Sequence, residues 1–142
     1  FEDVAMGIAF GKISKTVDGG ITWKDIYFGM GDEKKIFKTS SQIKFISENI
    51  GFLTMPSAGG ETSEMYITKD GGNSFNKLEI INSDIYDYYN LPTFEDGVLS
   101  IKITQGSDGD YNGGDYKVYY SKDYGDSWSL EKWLIQILFC IF

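Results

Sequence analysis

No histidine occurs among the 142 residues, all 13 basic side chains are lysine, and there are only two prolines and one cysteine. Each shortage removes a class of chemistry. Without histidine the chain cannot build a histidine-based triad, an imidazole acid/base pair or a histidine zinc site. Without arginine there is no planar fork to grip a carboxylate or phosphate bidentately. Cys140 alone forms no internal disulfide and no cysteine zinc cluster. Acidic side chains number 21, giving a formal net charge of −8. Phosphate contact relies on a basic face, so nucleic acid is not an expected partner. Long apolar runs are also scarce. The segment from Leu134 to Phe142 is nearly all apolar, but it falls far short of the roughly 18 residues that span a bilayer. It reads first as a buried strand, next as a clipped or frame-shifted terminus, and last as a membrane anchor. The chain starts at Phe1 with no basic-then-apolar leader, so no signal peptide is visible.

What is abundant is glycine, at 17 residues, and aromatic side chains, at 16%. They concentrate in an internal repeat. Three octets align: Thr16-Val17-Asp18-Gly19-Gly20-Ile21-Thr22-Trp23, Thr68-Lys69-Asp70-Gly71-Gly72-Asn73-Ser74-Phe75 and Ser121-Lys122-Asp123-Tyr124-Gly125-Asp126-Ser127-Trp128. Each reads hydroxyl, any, Asp, any, Gly, any, Ser/Thr, aromatic, and the aspartates Asp18, Asp70 and Asp123 stand 52 and 53 residues apart. The chemistry is that of a tight β-hairpin. The carboxylate is expected to accept amides about two residues on, as in an Asx turn. Gly20, Gly72 and Gly125 supply a positive φ, and the closing Trp23, Phe75 and Trp128 fold back over the turn.

Short strands precede each octet, at Lys12 to Lys15, Glu64 to Ile67 and Lys117 to Tyr120. Further strands are expected at Ile43 to Ser47 and Gly51 to Met55, and at Leu91 to Phe94 and Val98 to Ile103. Three more follow the octets, at Trp23 to Phe28, Phe75 to Ile80 and Trp128 to Trp133. Four strands in about 50 residues is the size of one β-propeller blade. The fold class is therefore all-β: a partial β-propeller of two and a half to three four-stranded antiparallel blades. The expected division is a blade part over residues 1–30, blades over 40–81 and 90–133, and an apolar tail over 134–142. A ring closes with typically 4–8 blades, so missing blades are implied and the chain reads as a fragment.

The octets resemble Asp-box (BNR) repeats, the hairpins between third and fourth strands of blades in sialidases, sortilin-type receptors and xyloglucan-hydrolase-like enzymes. The stretch from Ile43 to Phe75, with Phe45, Gly51, Phe52, Tyr66 and Thr68 to Gly72, is most similar to photosystem II assembly factor-like propellers. The resemblance covers roughly Lys12 to Trp133. It implies that Thr16, Asp18, Gly20, Trp23 and their counterparts in the other octets are structural, and that ligands meet the opposite end of the blades. Activity does not follow from it, because one architecture serves many functions.

On that opposite end, Asn82 to Asn90 reads as an inter-blade link. Its Asp84, Tyr86, Asp87, Tyr88 and Tyr89 form a candidate face for a sugar or peptide, or else tyrosines packing with their hydroxyls in water. In the loop from Gln105 to Asp115, the residues Asp108, Asp110, Asn112 and Gly113 reproduce the opening of a calcium loop, and Asp115 is a candidate further ligand. Tyr119 stands where a closing bidentate glutamate belongs, so a solvated acidic loop is the competing reading. No cofactor other than calcium is expected. Lys34 and Lys35 read as solvated surface, and Gly29 with Gly31 lacks the third glycine of a phosphate cradle.

No catalytic residue is assigned. The sialidases that the octets resemble hold their substrate with an arginine triad that this chain lacks, and Tyr86 with Asp84 would imitate their tyrosine nucleophile only by coincidence. Nothing pairs Asp84, Asp87, Asp108 or Asp110 across a scissile bond. The expected function is a non-catalytic scaffold for a protein or carbohydrate ligand. The alternative is a fragment of a propeller glycoside hydrolase whose catalytic residues lie outside this chain. The resemblance and the single cysteine point to an extracytoplasmic or secreted location.

Overall fold

The structure, a computed structural model, describes residues 5–9, 12–26, 29–30, 33–34, 42–57, 59–83, 85–106 and 115–130. Every regular element among them is a strand, and among the described residues no helix is long and apolar enough to cross a membrane. The first sheet takes β1 (Ala5–Ala9), β2 (Lys12–Thr16) and β3 (Lys24–Ile26) in sequential order. A small hairpin, β4 (Gly29–Met30) and β5 (Glu33–Lys34), follows. The second sheet is a complete meander of β6 (Gln42–Phe45), β7 (Gly51–Pro56), β8 (Ser63–Thr68) and β9 (Asn76–Leu78). The third holds β10 (Tyr86–Tyr89), β11 (Thr93–Glu95), β12 (Val98–Gln105), β13 (Tyr116–Ser121) and β14 (Ser129–Leu130).

The fifth strand of the third sheet is a division, not an addition. β10 pairs with the far half of β12 and β11 with its near half. The amide of Asn90 still donates to the Lys102 carbonyl at 3.1 Å between them. Pro92 lies two residues on, and a proline has no amide to give to the ladder. The two pieces are one interrupted inner strand, so the sheet has the same four positions as the second. The tyrosine run therefore differs from the sequence reading: residues 86–89 are strand, not inter-blade link.

Period-2 alternation explains why the three sheets stack. In β7, Phe52 joins one apolar cluster while Leu53 and Met55 join another, and in β8 Met65 and Ile67 separate likewise from Tyr66. The middle sheet is thus buried on both faces, which is why residues 51–55 read as a nearly unbroken buried run. One face meets Ile13 of the first sheet, together with Phe75. The other meets Leu99, Ile101 and Ile103 of the third. In β12 the intervening Ser100, Lys102 and Thr104 point away, so the third sheet has one apolar face and one polar face. Truncating a ring such as fully buried Phe52 to alanine is expected to cost about 3–5 kcal/mol. The chain is a partial β-propeller.

Lysine side chains tie successive sheets together. Lys15 donates to the Gly71 carbonyl, Lys44 to the Pro92 carbonyl at 3.1 Å, and Lys69 pairs with Asp126. Lys15 occupies the position held by Ile67 and Tyr120 in the later repeats, and its reach to the next corner accounts for that departure. The Lys69–Asp126 pair is solvent-exposed, so it is expected to contribute less than about 1 kcal/mol.

Candidate functional site

The three octets fold into superposable corners. Thr16 Oγ1 donates to Asp18 Oδ1 at 2.7 Å and accepts the Gly20 amide at 2.9 Å. The same carboxylate oxygen accepts the Thr22 amide at 2.9 Å, and Asp18 Oδ2 accepts the Thr22 hydroxyl at 2.5 Å. Thr68, Asp70, Gly72 and Ser74 repeat the pattern at 2.8, 2.8, 2.9 and 2.6 Å. Ser121, Asp123, Gly125 and Ser127 repeat it again. The Trp23 and Trp128 indoles close their corners on the carbonyls of Gly20 and Gly125 at 3.1 and 3.2 Å.

One detail differs from the Asx-turn expectation. The carboxylate takes the amide four residues on, and the amide two residues on goes to the leading hydroxyl. Two successive positive-φ residues cause this. Gly19 and Gly20 stand at φ 69 and 90, and Gly71 and Gly72 at 69 and 86. In the third corner a tyrosine, Tyr124, takes the first of these positions at φ 56, where a bulky residue is strained. Its ring lies 5.9 Å from that of Phe94.

Each carboxylate thus holds three donors on two oxygens. The Thr22 hydroxyl, then the Thr22 amide and Thr16, lower Asp18 to about 2. The Ser127 hydroxyl and amide lower Asp123 in the same way. Burial pushes Asp70 up, but the Ser74 and Thr68 hydrogen bonds outweigh it and the net shift is down. These acids are held ionised by the backbone they shape. The corners lie between β2 and β3, β8 and β9, and β13 and β14, one to each sheet.

At the other end of the strands the structure opens a cleft of about 690 Å³. Its walls come from the edge of β8 (Ser63, Glu64, Met65), from β9 and the chain leaving it (Lys77 to Ser83), and from Tyr86, Asp87 and Tyr89. The register of β10 against β12 shifts between Tyr86 and Tyr88. Such a bulge re-aims side chains, and here it brings Tyr86, Asp87 and Tyr89 to the cleft while Tyr88 is not among its lining residues. Tyr89 is only 9% exposed and belongs to the core between second and third sheets. It forms cleft wall and core, in line with the packing reading of these tyrosines. Its amide and carbonyl both bind Ser63 Oγ, at 2.7 and 2.9 Å, fastening β8 to β10.

Tyr86 is the best positioned of the predicted residues. Its hydroxyl donates to Asp115 Oδ2 at 2.6 Å, and the Lys117 ammonium lies 4.4 Å from its ring centroid. The hydrogen bond to Asp115, then burial and the Asp115 charge, raise its hydroxyl above the ordinary phenol value. The hydroxyl is therefore held as a donor to Asp115. Asp87 accepts the Gly106 amide at 3.1 Å. Gly106 is needed there, because an added Cβ would overlap the Glu61 carbonyl oxygen and crowd Asp87. Asp84, and Asp108, Asp110 and Asn112 of the calcium reading, lie outside the described residues. Asp115 is described, and it orients Tyr86.

Sequence reasoning missed Glu64, Lys77, Glu79, Ile80 and Ile81. Lys77 lies 3.3 Å from both Glu64 and Glu79. Burial pulls its ammonium down, but the two carboxylates more than offset this and leave it raised. Tyr66 donates to Glu64 Oε2 at 2.5 Å. The cleft therefore carries three carboxylates, one ammonium and an aliphatic wall.

No protein-family model and no curated protein matches the chain. Several solved structures resemble it, among them the following two. A structure of YCF48 bound to D1 peptide aligns with TM-score 0.55 and 20% identity, covering 92% of this chain and 36% of that one. An ancestral GH74 enzyme aligns with TM-score 0.56 and 13% identity, covering 85% of this chain and 15% of that one. The chain thus spans about a third of the first neighbour's length and less of the second's. At these identities the likeness is one of fold, and the fold is the β-propeller.

Proposed function

We propose that the chain is a segment of an Asp-box propeller that binds an extended protein segment without catalysing a reaction, using the cleft between its second and third sheets. The observation that carries this reading is the composition of that cleft. Its volume suits a bound ligand. One wall is aliphatic, with Met65, Leu78, Ile80 and Ile81, and one rim is polar, with Glu64, Glu79, Asp87 and the Tyr86 hydroxyl. The edge of β9 adds main-chain groups of the kind that extended peptides pair with. The excess of carboxylate over ammonium favours a neutral or basic segment. Carbohydrate sites favour exposed flat rings, and Tyr86 is the ring that fits that description here. The neighbour described as bound to D1 peptide supports a peptide ligand. The ancestral GH74 neighbour keeps the second reading open: a piece of a propeller glycoside hydrolase with its reacting groups elsewhere.

The test is fluorescence polarisation with labelled extended peptides of basic, neutral and acidic composition. Basic and neutral apolar peptides should bind, acidic ones should not, and Tyr86→Ala or Ile80→Asp should abolish binding without altering the circular dichroism. Binding indifferent to both substitutions would refute the cleft assignment. Binding of a β-glucan oligosaccharide that is lost in Tyr86→Ala, with no peptide bound, would favour the hydrolase piece.

A further inference from the structure

The cleft runs along a sheet edge and not over a sheet face. Residues 77–81 line it consecutively, and so do residues 62–65. Successive side chains of an extended chain point to opposite faces, so a cavity touched by every residue in turn lies beside the backbone. The two runs are the arms of a fork. β9 accompanies β8 only from Ile67 to Met65 and ends at Leu78, while β8 reaches back to Ser63. Among the described residues no strand takes up the fourth position of the sheet beyond Leu78.

The open arm offers main-chain groups. The Ser57 amide donates to the Thr62 carbonyl at 2.7 Å, which turns the Thr62 main chain toward β7. Hydrogen-bonding direction alternates along a strand, so Glu64 and Tyr66 also face β7, while Ser63, Met65 and Ile67 face the β9 side. Met65 and Ile67 meet Leu78 and Asn76 there. Ser63 turns its amide and carbonyl into the fork, in a residue only 6% exposed. Main-chain groups so placed call for a partner.

The two faces of the fork differ in chemistry. Leu78, Ile80 and Tyr86 pack on the cluster between second and third sheets, and Ser63 is on that face, with its hydroxyl on the Tyr89 main chain. Lys77 is paired with Tyr66 across the strands, on the opposite face, and lies 3.3 Å from both Glu64 and Glu79. Two carboxylates share one ammonium there. We propose that the segment bound in this cleft enters the fork as a short added strand, hydrogen-bonded to Ser63, with apolar and basic side chains in alternation. The inference rests on the peptide reading above and adds a register to it. The residue opposite Ser63 shares its face and turns to Leu78, Ile80 and Tyr86. The residues before and after it turn to Glu64 and Glu79, where Lys77 marks a place that holds an ammonium. Strand addition takes its affinity from main-chain bonds and its specificity from alternate side chains.

The test is fluorescence polarisation with two labelled peptides of equal composition, Lys-Val-Lys-Val-Lys and Lys-Lys-Lys-Val-Val. The alternating order should bind about tenfold tighter, and N-methylation of its two valine amides should abolish binding. The Glu79 side chain is 74% exposed, so Glu79→Lys leaves the fold intact, which circular dichroism verifies. That substitution should weaken the alternating basic peptide about tenfold and strengthen binding of Glu-Val-Glu-Val-Glu. Equal affinity for the two orders, or binding that survives N-methylation, overturns the strand insertion and leaves the cleft a peptide site. Failure of every peptide to bind overturns both.

Discussion

Gly125→Ala and Gly20→Ala form a matched pair, because the two glycines have nearly identical backbones and different surroundings. Their φ values are 91 and 90. Alanine in this left-handed region costs about 1–2 kcal/mol at either site. The loss of chain freedom in the unfolded state, about 0.4–1 kcal/mol in alanine's favour, is also common to both. What differs is the space. A Cβ at Gly125 would stand 2.8 Å from Ile67 Cδ1 and 3.6 Å from Phe52, whereas one at Gly20 would find its nearest neighbour, Trp23, at 3.9 Å. Overpacking of this kind costs about 1–3 kcal/mol. Gly125→Ala should therefore lower stability by about 1–3 kcal/mol more than Gly20→Ala, read from urea midpoints at constant slope. Ile67→Val removes the offending methyl and should recover much of the difference in the Gly125→Ala background, although alone it costs about 0.5–1.5 kcal/mol. Equal losses from the two glycine substitutions would show that the third corner is not seated on the second sheet.

Other consequences follow from the same geometry. Ser63→Ala strips the buried partner from both the amide and the carbonyl of Tyr89, and should destabilise the chain by about 1–3 kcal/mol; an unchanged urea midpoint would contradict the bridging role. Thr68→Val leaves the buried Gly72 amide without its acceptor and should cost a similar amount, about 1–3 kcal/mol, measured the same way. The corner aspartates are depressed below the ordinary carboxylate value, so their stabilisation is complete above about pH 4. It is lost as pH falls through the folded values, which for Asp18 means down to about 2. Melting temperature should drop across that interval, and Thr22→Val, which removes the largest contributor to the Asp18 shift, should flatten the drop. A melting temperature level from pH 5 to pH 2 would contradict the hydrogen-bond assignment. Gly106→Ala should lower the melting temperature and weaken peptide binding together, because its Cβ would collide with the loop carbonyl of Glu61 beside Asp87; polarisation and melting on one sample check both.

The corners were legible because their chemistry is local. Hydroxyl, carboxylate and glycine lie within eight residues, and the spacing of 52 and 53 then implies a repeated sheet. The strands beside them followed from alternation, and Asp96 and Gly97, both with positive φ, make the turn that joins two of them. The tyrosine strand was not legible. Tyr86 to Tyr89 sits among asparagine, serine and aspartate, the composition of a loop. It becomes strand because β12 extends to Gln105 and offers it a partner. The cleft was hidden for the same reason: Glu64, Lys77 and Tyr86 come from three strands and meet only after the second and third sheets stack.

The two ends of the blades divide the work between them for a physical reason. At the corner end every carboxylate oxygen of Asp18, Asp70 and Asp123 receives a donor from its own octet. The hydroxyls that orient them, Thr16, Thr68 and Ser121, are almost wholly buried. Three of the roughly four acceptor sites on each carboxylate are taken by its own octet, and turning one outward would release those donors. At the cleft end the polar groups are bound to one another across chain segments: Tyr86 to Asp115, Lys77 to Glu64 and Glu79, Asp87 to Gly106. These contacts lie near solvent, where an ion pair contributes about 0–1 kcal/mol, so a ligand can exchange them at small cost. On the proposed peptide-binding reading a partner would be recognised by that exchange, and the fold puts the groups able to make it on one side.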